Sequence, residues 1–154
     1  MTRTDVDLLL RPATPVDVAA IAAVHLAARA AAPMPPAVHG PDEVRAHLAA
    51  RLRHDECWVA EAGGRVAGYA RFTATWLDDL YVDPARQGVG VGSALLDLVK
   101  ARRPAGFGLW VFETNVPARA FYAARGLVER EHTDGSGNEE RAPDVRMEWL
   151  PADG

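Results

Sequence analysis

The chain has 154 residues, a net charge of −4 and a single cysteine. The length favours one domain over residues 1–154, the charge argues against a general nucleic-acid binder, and one cysteine excludes an intrachain disulfide framework. The start, MTRTDVDLLLRP, lacks the long apolar segment of a signal peptide. No apolar stretch approaches the roughly 20 residues that span a bilayer. We therefore expect a cytoplasmic protein without membrane contact.

Apolar spacing and turn residues predict strands and helices in the first half of the chain. Thr14-Pro15-Val16-Asp17 is typical of a helix start, because Thr caps, Pro fits the first turn and Asp suits the positive helix end. Gly63-Gly64 suits the positive φ angles of a tight hairpin turn. The predicted elements are a strand over 7–11, a helix over 14–31, a helix over 41–53, a hairpin of strands over 57–62 and 65–73, and a strand over 76–82.

The second half alternates helices and strands. Its predicted elements are a helix over 90–102, a strand over 108–114, a helix over 116–125, a strand over 127–131 and a strand over 145–150. The complete order is β-α-α-β-β-β-α-β-α-β-β. This order predicts an α/β (α+β) fold with a mixed central sheet of six to seven strands and four helices on both faces.

The loop between the strand over 76–82 and the next helix carries the most specific pattern. Gly88, Gly90 and Gly92 alternate along DPARQGVGVGS. Glycines let a backbone approach a ligand closely, and free N–H groups at a helix start attract an anion. The stretch lacks the lysine of a Walker loop, and a G-x-G-x-x-G spacing fails at Ser93 or Leu95. The sequence thus predicts a phosphate cradle of another type.

Two motifs together indicate a family. The first is [RQ]-x-x-G-x-[GA], which is met by Gln87, Gly90 and Gly92. The second is N-x-x-A-x-x-[FL]-Y-x-x-x-G-[FL], which is met by Asn115, Ala118, Phe121, Tyr122, Gly126 and Leu127. With both motifs the sequence resembles the GNAT (Gcn5-related) N-acetyltransferase superfamily, although Leu127 stands where Phe is commoner. The resemblance implies the GNAT acyl-CoA N-acyltransferase fold and transfer of an acetyl group from acetyl-CoA to a primary amine.

The resemblance also implies where the donor binds. Two strands are expected to splay apart, so that the backbone of Leu80 and Val82 holds the pantetheine and acetyl group while amides from Gln87 to Ser93 hold the pyrophosphate. Arg86 either adds charge to a phosphate or is solvated. The implied donor-binding residues are Leu80, Tyr81, Val82, Gln87, Gly88, Val89, Gly90, Val91, Gly92, Ser93, Asn115 and Tyr122.

Tyr122 is the candidate catalytic acid, because the family places a tyrosine of this helix beside the thioester sulfur. A phenol can protonate the thiolate that leaves when the amine attacks. The alternative for Tyr122 is a core aromatic residue beside Phe121. An exchange to phenylalanine distinguishes the two interpretations.

The acceptor amine must lose a proton before it attacks, at a cost of roughly 4.6 kcal/mol for a lysine-like amine at pH 7. Asp78 is favoured as ammonium anchor or water-mediated base, since diamine acetyltransferases of the superfamily carry a similar acid–acid pair. Strand alternation predicts that Asp78 and Asp79 point to opposite faces, with Asp78 on the face of Leu80. Glu113, Asp79 or a water molecule are the other candidates. The alternative to a catalytic role is, for each carboxylate, pairing with an arginine or with a backbone amide of a bulge.

The expected acceptor is a small amine, with a protein N-terminus or lysine as the lesser possibility. The first helix, the proline loop over 32–41 and the polar segment over 134–144 are expected to set acceptor specificity, and His25 of the first helix is a candidate substrate contact. Glu139 and Glu140 either face a cationic amine or are solvated, and solvation is favoured. One or two of the four tryptophans are candidate pocket walls. No histidine pair has metal spacing, so no metal is expected. A non-catalytic acyl-CoA-binding regulatory module is the rival interpretation, and homodimers are common in the superfamily.

Overall fold

The structure is a computed structural model that describes residues 7–151. Residues 1–6 and 152–154 lie outside the described residues. Both ends of the predicted domain and the first half of the stretch MTRTDVDLLLRP therefore lie outside them as well. The elements are β1 (Leu8–Pro12), α1 (Val18–Ala31), α2 (Pro41–Arg51), β2 (Glu56–Ala62), β3 (Arg65–Phe72), β4 (Leu77–Val82), α3 (Val91–Arg102), β5 (Phe107–Phe112), α4 (Val116–Ala124), β6 (Val128–His132) and β7 (Asp144–Trp149). Their order is the predicted one.

Local signals explain where several elements begin and turn. A 3₁₀ turn over Pro15–Asp17 leads into α1, and the Asp17 carboxylate accepts the Thr14 backbone N–H at 2.7 Å. Arg11 pairs with the same carboxylate at 2.8 Å and lowers the pKa of Asp17 to about 2. Gly63 and Gly64 have φ angles of 60° and 77°, which confirms the predicted hairpin turn between β2 and β3.

The strands form two antiparallel sheets, with the orders β1-β2-β3-β4 and β5-β7-β6. A single parallel bridge between Trp76 and Gly108 joins them. A Cβ at Gly108 would lie 2.8 Å from the Trp76 ring, so only glycine allows the strands to approach this closely. Beyond the bridge, β4 and β5 form no ladder within the described residues, and a gap opens between them. The predicted α/β class with helices on both faces is thus confirmed, but the seven strands of the described residues form two antiparallel sheets that splay apart and not one mixed sheet.

Helices cover both faces of the sheets, as predicted. One apolar cluster lies between α1, α2 and the first sheet and contains Ile21, Leu48 and Tyr69. The other joins α3 to both sheets and contains Leu95 and Met147. Each fully buried side chain of this size contributes about 1.5–3 kcal/mol. Among residues 7–151 no helix is long and apolar enough to cross a membrane.

A β-bulge interrupts β4 at Asp78. Arg71 of β3 pairs with Asp79, whereas the next residue of β3 pairs with Leu77, so Asp78 is an extra residue without a partner. Leu77 and Leu80, three positions apart, therefore contact the same core cluster. Strand alternation is broken at this point: Leu80 packs against the core cluster while Asp78 is exposed, so alternation alone does not place Asp78 relative to Leu80.

Candidate active site

A cleft of about 810 Å³ follows the gap between β4 and β5. It extends from α1 and the proline loop, through the gap, to the N-termini of α3 and α4. Most of the residues singled out in the sequence line it. These are Asp78, Leu80, Tyr81, Val82, Gln87, Gly88, Gly90, Val91, Gly92, Ser93, Asn115 and Tyr122. Val89 is 46% exposed and is not one of the lining residues, and neither are Arg86 and Glu113.

The glycine loop forms a concave backbone surface at the start of α3. Gly88 and Gly90 both have φ angles of 86°, and Gly90 is the N-cap residue of the helix. A side chain at either position would strain the backbone. A Cβ at Gly92 would lie 3.3 Å from the Phe121 ring, so this glycine allows α4 to pack against α3. Free N–H groups and the helix dipole suit an anion here.

Arg125 brings a positive charge to the same place. Its Nε and Nη2 donate to Ser93 Oγ at 3.1 and 2.8 Å, and its guanidinium lies 3.9 Å from the centre of the Phe121 ring. Arg125 also lines the cleft. Arg125 was not predicted from the sequence, because an arginine at the end of a helix and before Gly126 is also typical of a C-terminal turn. Only the packing of α4 against α3 reveals that Arg125 lies beside the loop.

The edge of β4 that faces the gap has unpaired backbone groups. The Asp83 N–H donates to the Ala67 carbonyl at 2.8 Å, on the β3 side. Since successive residues of a strand direct their backbone groups to opposite sides, Leu80 and Val82 direct theirs toward β5. No ladder between β4 and β5 uses them in the part of the chain that the structure describes. An extended ligand in the gap can therefore pair with these groups as an added strand.

Tyr122 faces this gap from α4. The residue is 8% exposed and lines the cleft. Within residues 7–151 its hydroxyl has no hydrogen-bond partner, and no buried side-chain oxygen or nitrogen lacks one, so the hydroxyl reaches the open cleft. Burial raises the pKa of the phenol well above its usual range, and Tyr81 and Asp79 add to this effect. The phenol of Tyr122 is thus protonated at neutral pH.

The two acids of β4 have different surroundings. Asp78 is exposed at one end of the cleft and forms no ion pair with a described residue. Partial desolvation by the cleft walls raises the pKa of Asp78, with Arg71 opposing the effect. Asp79 is buried and accepts hydrogen bonds from Arg71 Nε at 2.9 Å and from the Tyr69 hydroxyl at 3.0 Å. Asp79 is thus paired with an arginine, which was the alternative to a catalytic role for this residue.

Two tryptophans flank Asp78. The Trp76 and Trp110 rings are nearly parallel, 15° apart, with their centres at 6.4 Å. Trp110 is 45% exposed, which is unusual for a side chain of this size. Both rings, Leu77 and Asp78 line a second cavity of about 410 Å³ that shares Asp78 with the main cleft. Aromatic faces beside an unpaired carboxylate suit a cation.

The polar segment over 134–144 contacts α1 and the proline loop. Glu140 lies 3.5 Å from Arg29, whose guanidinium lies 5.9 Å from the centre of the Phe112 ring. The expectation that Glu140 is solvated is therefore wrong, because α1 supplies a counter-ion. Glu139 is exposed and contacts His39 at 2.9 Å. Among the described residues no three His, Cys, Asp or Glu side chains form a metal-binding group.

Comparisons with known proteins agree with this geometry. A family model described as the acetyltransferase (GNAT) family matches residues 23–127. An uncharacterized N-acetyltransferase of Archaeoglobus fulgidus is 32% identical over 102 residues, 55% of this chain and 67% of that protein. A GCN5-related N-acetyltransferase of Rhodopseudomonas palustris superposes with a TM-score of 0.79 at 25% identity, over 97% of this chain and 98% of the other. The yncA protein of Salmonella typhimurium, solved with its cofactor acetyl-CoA, gives 0.72 at 22% identity, over 96% and 95%.

Proposed function

The chain belongs to the GNAT acetyltransferase family, and we propose on this basis that it transfers an acetyl group from acetyl-CoA to a small primary amine with a second positive charge. The observation that carries the acceptor class is the unpaired carboxylate of Asp78, which shares a cavity with the Trp76 and Trp110 rings and lines the cleft that also contains Tyr122. The net charge of −4 also favours a cationic acceptor.

Two features of the cleft, away from Asp78, fit the donor acetyl-CoA. The concave loop around Gly88 and Gly90 supplies backbone N–H groups for a pyrophosphate, and Arg125 supplies a charge. The unpaired backbone groups of Leu80 and Val82 suit the amides of a pantetheine arm. The relative from Salmonella typhimurium, which has the same fold, was solved with acetyl-CoA.

The residues that line the gap have separate roles in the reaction. The acceptor nitrogen forms a bond to the acetyl carbon, and the carbon–sulfur bond breaks. A backbone N–H of β4 near Leu80 stabilises the tetrahedral oxyanion. Tyr122 gives its proton to the departing thiolate. Asp78 acts as the ammonium anchor, or alternatively as a base through a water molecule. A purely regulatory acyl-CoA-binding module has no use for Tyr122 and Asp78 in one cleft.

Acetyl-CoA is expected to raise the melting temperature. At about 100 times its dissociation constant it adds roughly 2.7 kcal/mol, which for a domain of this size is roughly 5–10 °C. ATP and NAD should not produce the rise. Gly90→Ala strains the φ of 86° in the loop and should reduce the rise, whereas Gly137→Ala, in open space without a positive φ, should retain it. Thermal melts with each ligand provide the measurement, and no rise with saturating acetyl-CoA would overturn the donor assignment.

Asp78→Asn should discriminate between acceptors. A hydrogen bond to a charged group contributes about 1.5–3 kcal/mol, so we expect kcat/KM for a diamine to fall roughly tenfold to a hundredfold. A neutral-tailed monoamine of equal length should lose far less. Asp97→Asn, on the exposed surface of α3, is the matched control. Thiol release measures both rates. Equal losses for the two acceptors would argue for Asp78 as the base, and no loss for either would remove it from the site.

A further inference from the structure

We propose that His25 is the general base that takes the proton from the acceptor ammonium, and that Tyr69 and Asp79 are its positioning residues. This inference rests on the proposed function, since it names a further catalytic residue for the same reaction. A network of side-chain hydrogen bonds connects the buried side of the first sheet to the cleft.

This hydrogen-bond network contains four side chains from three elements. Arg71 Nε of β3 donates to Asp79 Oδ2 of β4 at 2.9 Å. The Tyr69 hydroxyl donates to the same Oδ2 at 3.0 Å. His25 Nδ1 of α1 lies 2.9 Å from the Tyr69 hydroxyl oxygen. Tyr69 is fully buried and Asp79 nearly so, so packing holds these partners in place.

The hydrogen-bond network determines which imidazole nitrogen of His25 carries the proton. Asp79 is paired with a guanidinium, so it is a carboxylate and only accepts hydrogen bonds. The single hydroxyl proton of Tyr69 therefore points to Asp79, and the hydroxyl oxygen accepts from His25. His25 Nδ1 must then carry a hydrogen in the neutral ring, which leaves the lone pair on Nε2.

Nε2 is the ring nitrogen of His25 that remains accessible. His25 is one of the lining residues, and its ring stands edge-on to Tyr81 with the ring centres 4.8 Å apart. Nε2 has no hydrogen-bond partner within residues 7–151, and no buried side-chain nitrogen or oxygen there lacks one. Nε2 is therefore open to the cleft. The same cleft contains the Tyr122 hydroxyl and the Asp78 carboxylate, so a proton acceptor, a proton donor and a cation site share one space.

The charges around His25 suit this role. Burial lowers the pKa of His25 below its ordinary value of 6.5, Arg29, Arg71 and His47 lower it further, and Asp79 opposes them. The ring is thus neutral at pH 7. When Nε2 takes a proton from the acceptor ammonium, the amine gains the lone pair that attacks the acetyl carbon. The imidazolium is stabilised by Asp79 through Tyr69.

His25→Gln tests the proposal in the full chain. It keeps a polar side chain but removes the base, so we expect kcat to fall about 100-fold, while the rise in melting temperature with acetyl-CoA persists. In the wild type, kcat at saturating acceptor should decline below pH 6.5, since protonation of His25 removes the base. This decline should vanish in His25→Gln. His54→Gln, at an exposed histidine outside the cleft, is the matched control.

Two further variants test the roles of His25 and Tyr69 separately. His25→Ala should regain part of its rate when imidazole is added. Tyr69→Phe should lower kcat about tenfold and move the acidic decline to lower pH, because the imidazolium loses its acceptor at Nδ1. An active wild type whose His25 variants keep the normal kcat and pH profile would overturn this inference alone. A wild type that neither binds acetyl-CoA nor acetylates amines would overturn the proposed function instead.

Discussion

Tyr122→Phe should lower kcat about 100-fold and leave the dissociation constant of acetyl-CoA nearly unchanged. The exchange removes one oxygen and keeps the ring, which packs at 5.3 Å from the Phe121 ring. The hydroxyl has no partner within residues 7–151, so its loss leaves no polar group unsatisfied there. The departing thiolate, however, loses its proton donor. Steady-state thiol release and calorimetric titration of acetyl-CoA measure the two quantities.

The pH dependence adds a second criterion for Tyr122. Burial raises the pKa of the phenol, so the protonated form persists beyond the ordinary value of 10. A loss of kcat between pH 7 and 10 that disappears in Tyr122→Phe would therefore contradict the assignment. So would a variant with the wild-type kcat. A loss of kcat together with a weaker dissociation constant and a lower melting temperature would mean that the ring packing was disturbed.

The order of the elements was predictable because its signals are local. Proline at the start of α2, the paired glycines after β2 and Gly126 after α4 act through φ angles and missing donors, which do not depend on distant residues. The glycine loop was predictable for the same reason. Its two positive φ angles require glycine in any context.

The rest of the site depends on contacts between distant segments. Tyr69 and His25 are 44 residues apart, and Arg125 and Ser93 are 32 apart. Periodicity cannot pair such residues, because it describes one element at a time. The bulge at Asp78 is a different case: it lies in the register between β3 and β4, which the alternating pattern of β4 alone does not contain.

The splaying of β4 and β5 connects the fold to the chemistry. Most buried backbone groups of a protein are paired within its own sheets. Here the Trp76–Gly108 bridge ends the pairing early, and the residues beyond it keep open groups along a cleft. The tyrosine from α4 and the histidine from α1 reach this cleft from different helices. The gap is therefore the place where a donor and an acceptor can meet.

Arg71→Met should destabilise the protein by about 3–5 kcal/mol. The Arg71 side chain is 9% exposed and contacts two carboxylates, Asp79 at 2.9 Å and Asp55 at 2.5 Å. Methionine fills the space of the side chain without a charge. Asp55 keeps Arg51 as a partner, but the described residues contain no second cation paired with Asp79. The buried carboxylate then loses its counter-ion, and this cost outweighs the loss of the ion pairs themselves.

Urea unfolding and thermal melts measure the effect, which corresponds to roughly 10 °C in melting temperature. Arg130→Met is the matched control, because its ion pair with Glu148 is exposed and should contribute no more than about 1 kcal/mol. In the double variant Arg71→Met/Asp79→Asn the uncompensated charge at residue 79 is also gone, so part of the lost stability should return. Arg71→Met with the stability of the wild type, or a double variant no more stable than the single one, would show that the buried carboxylate does not depend on Arg71.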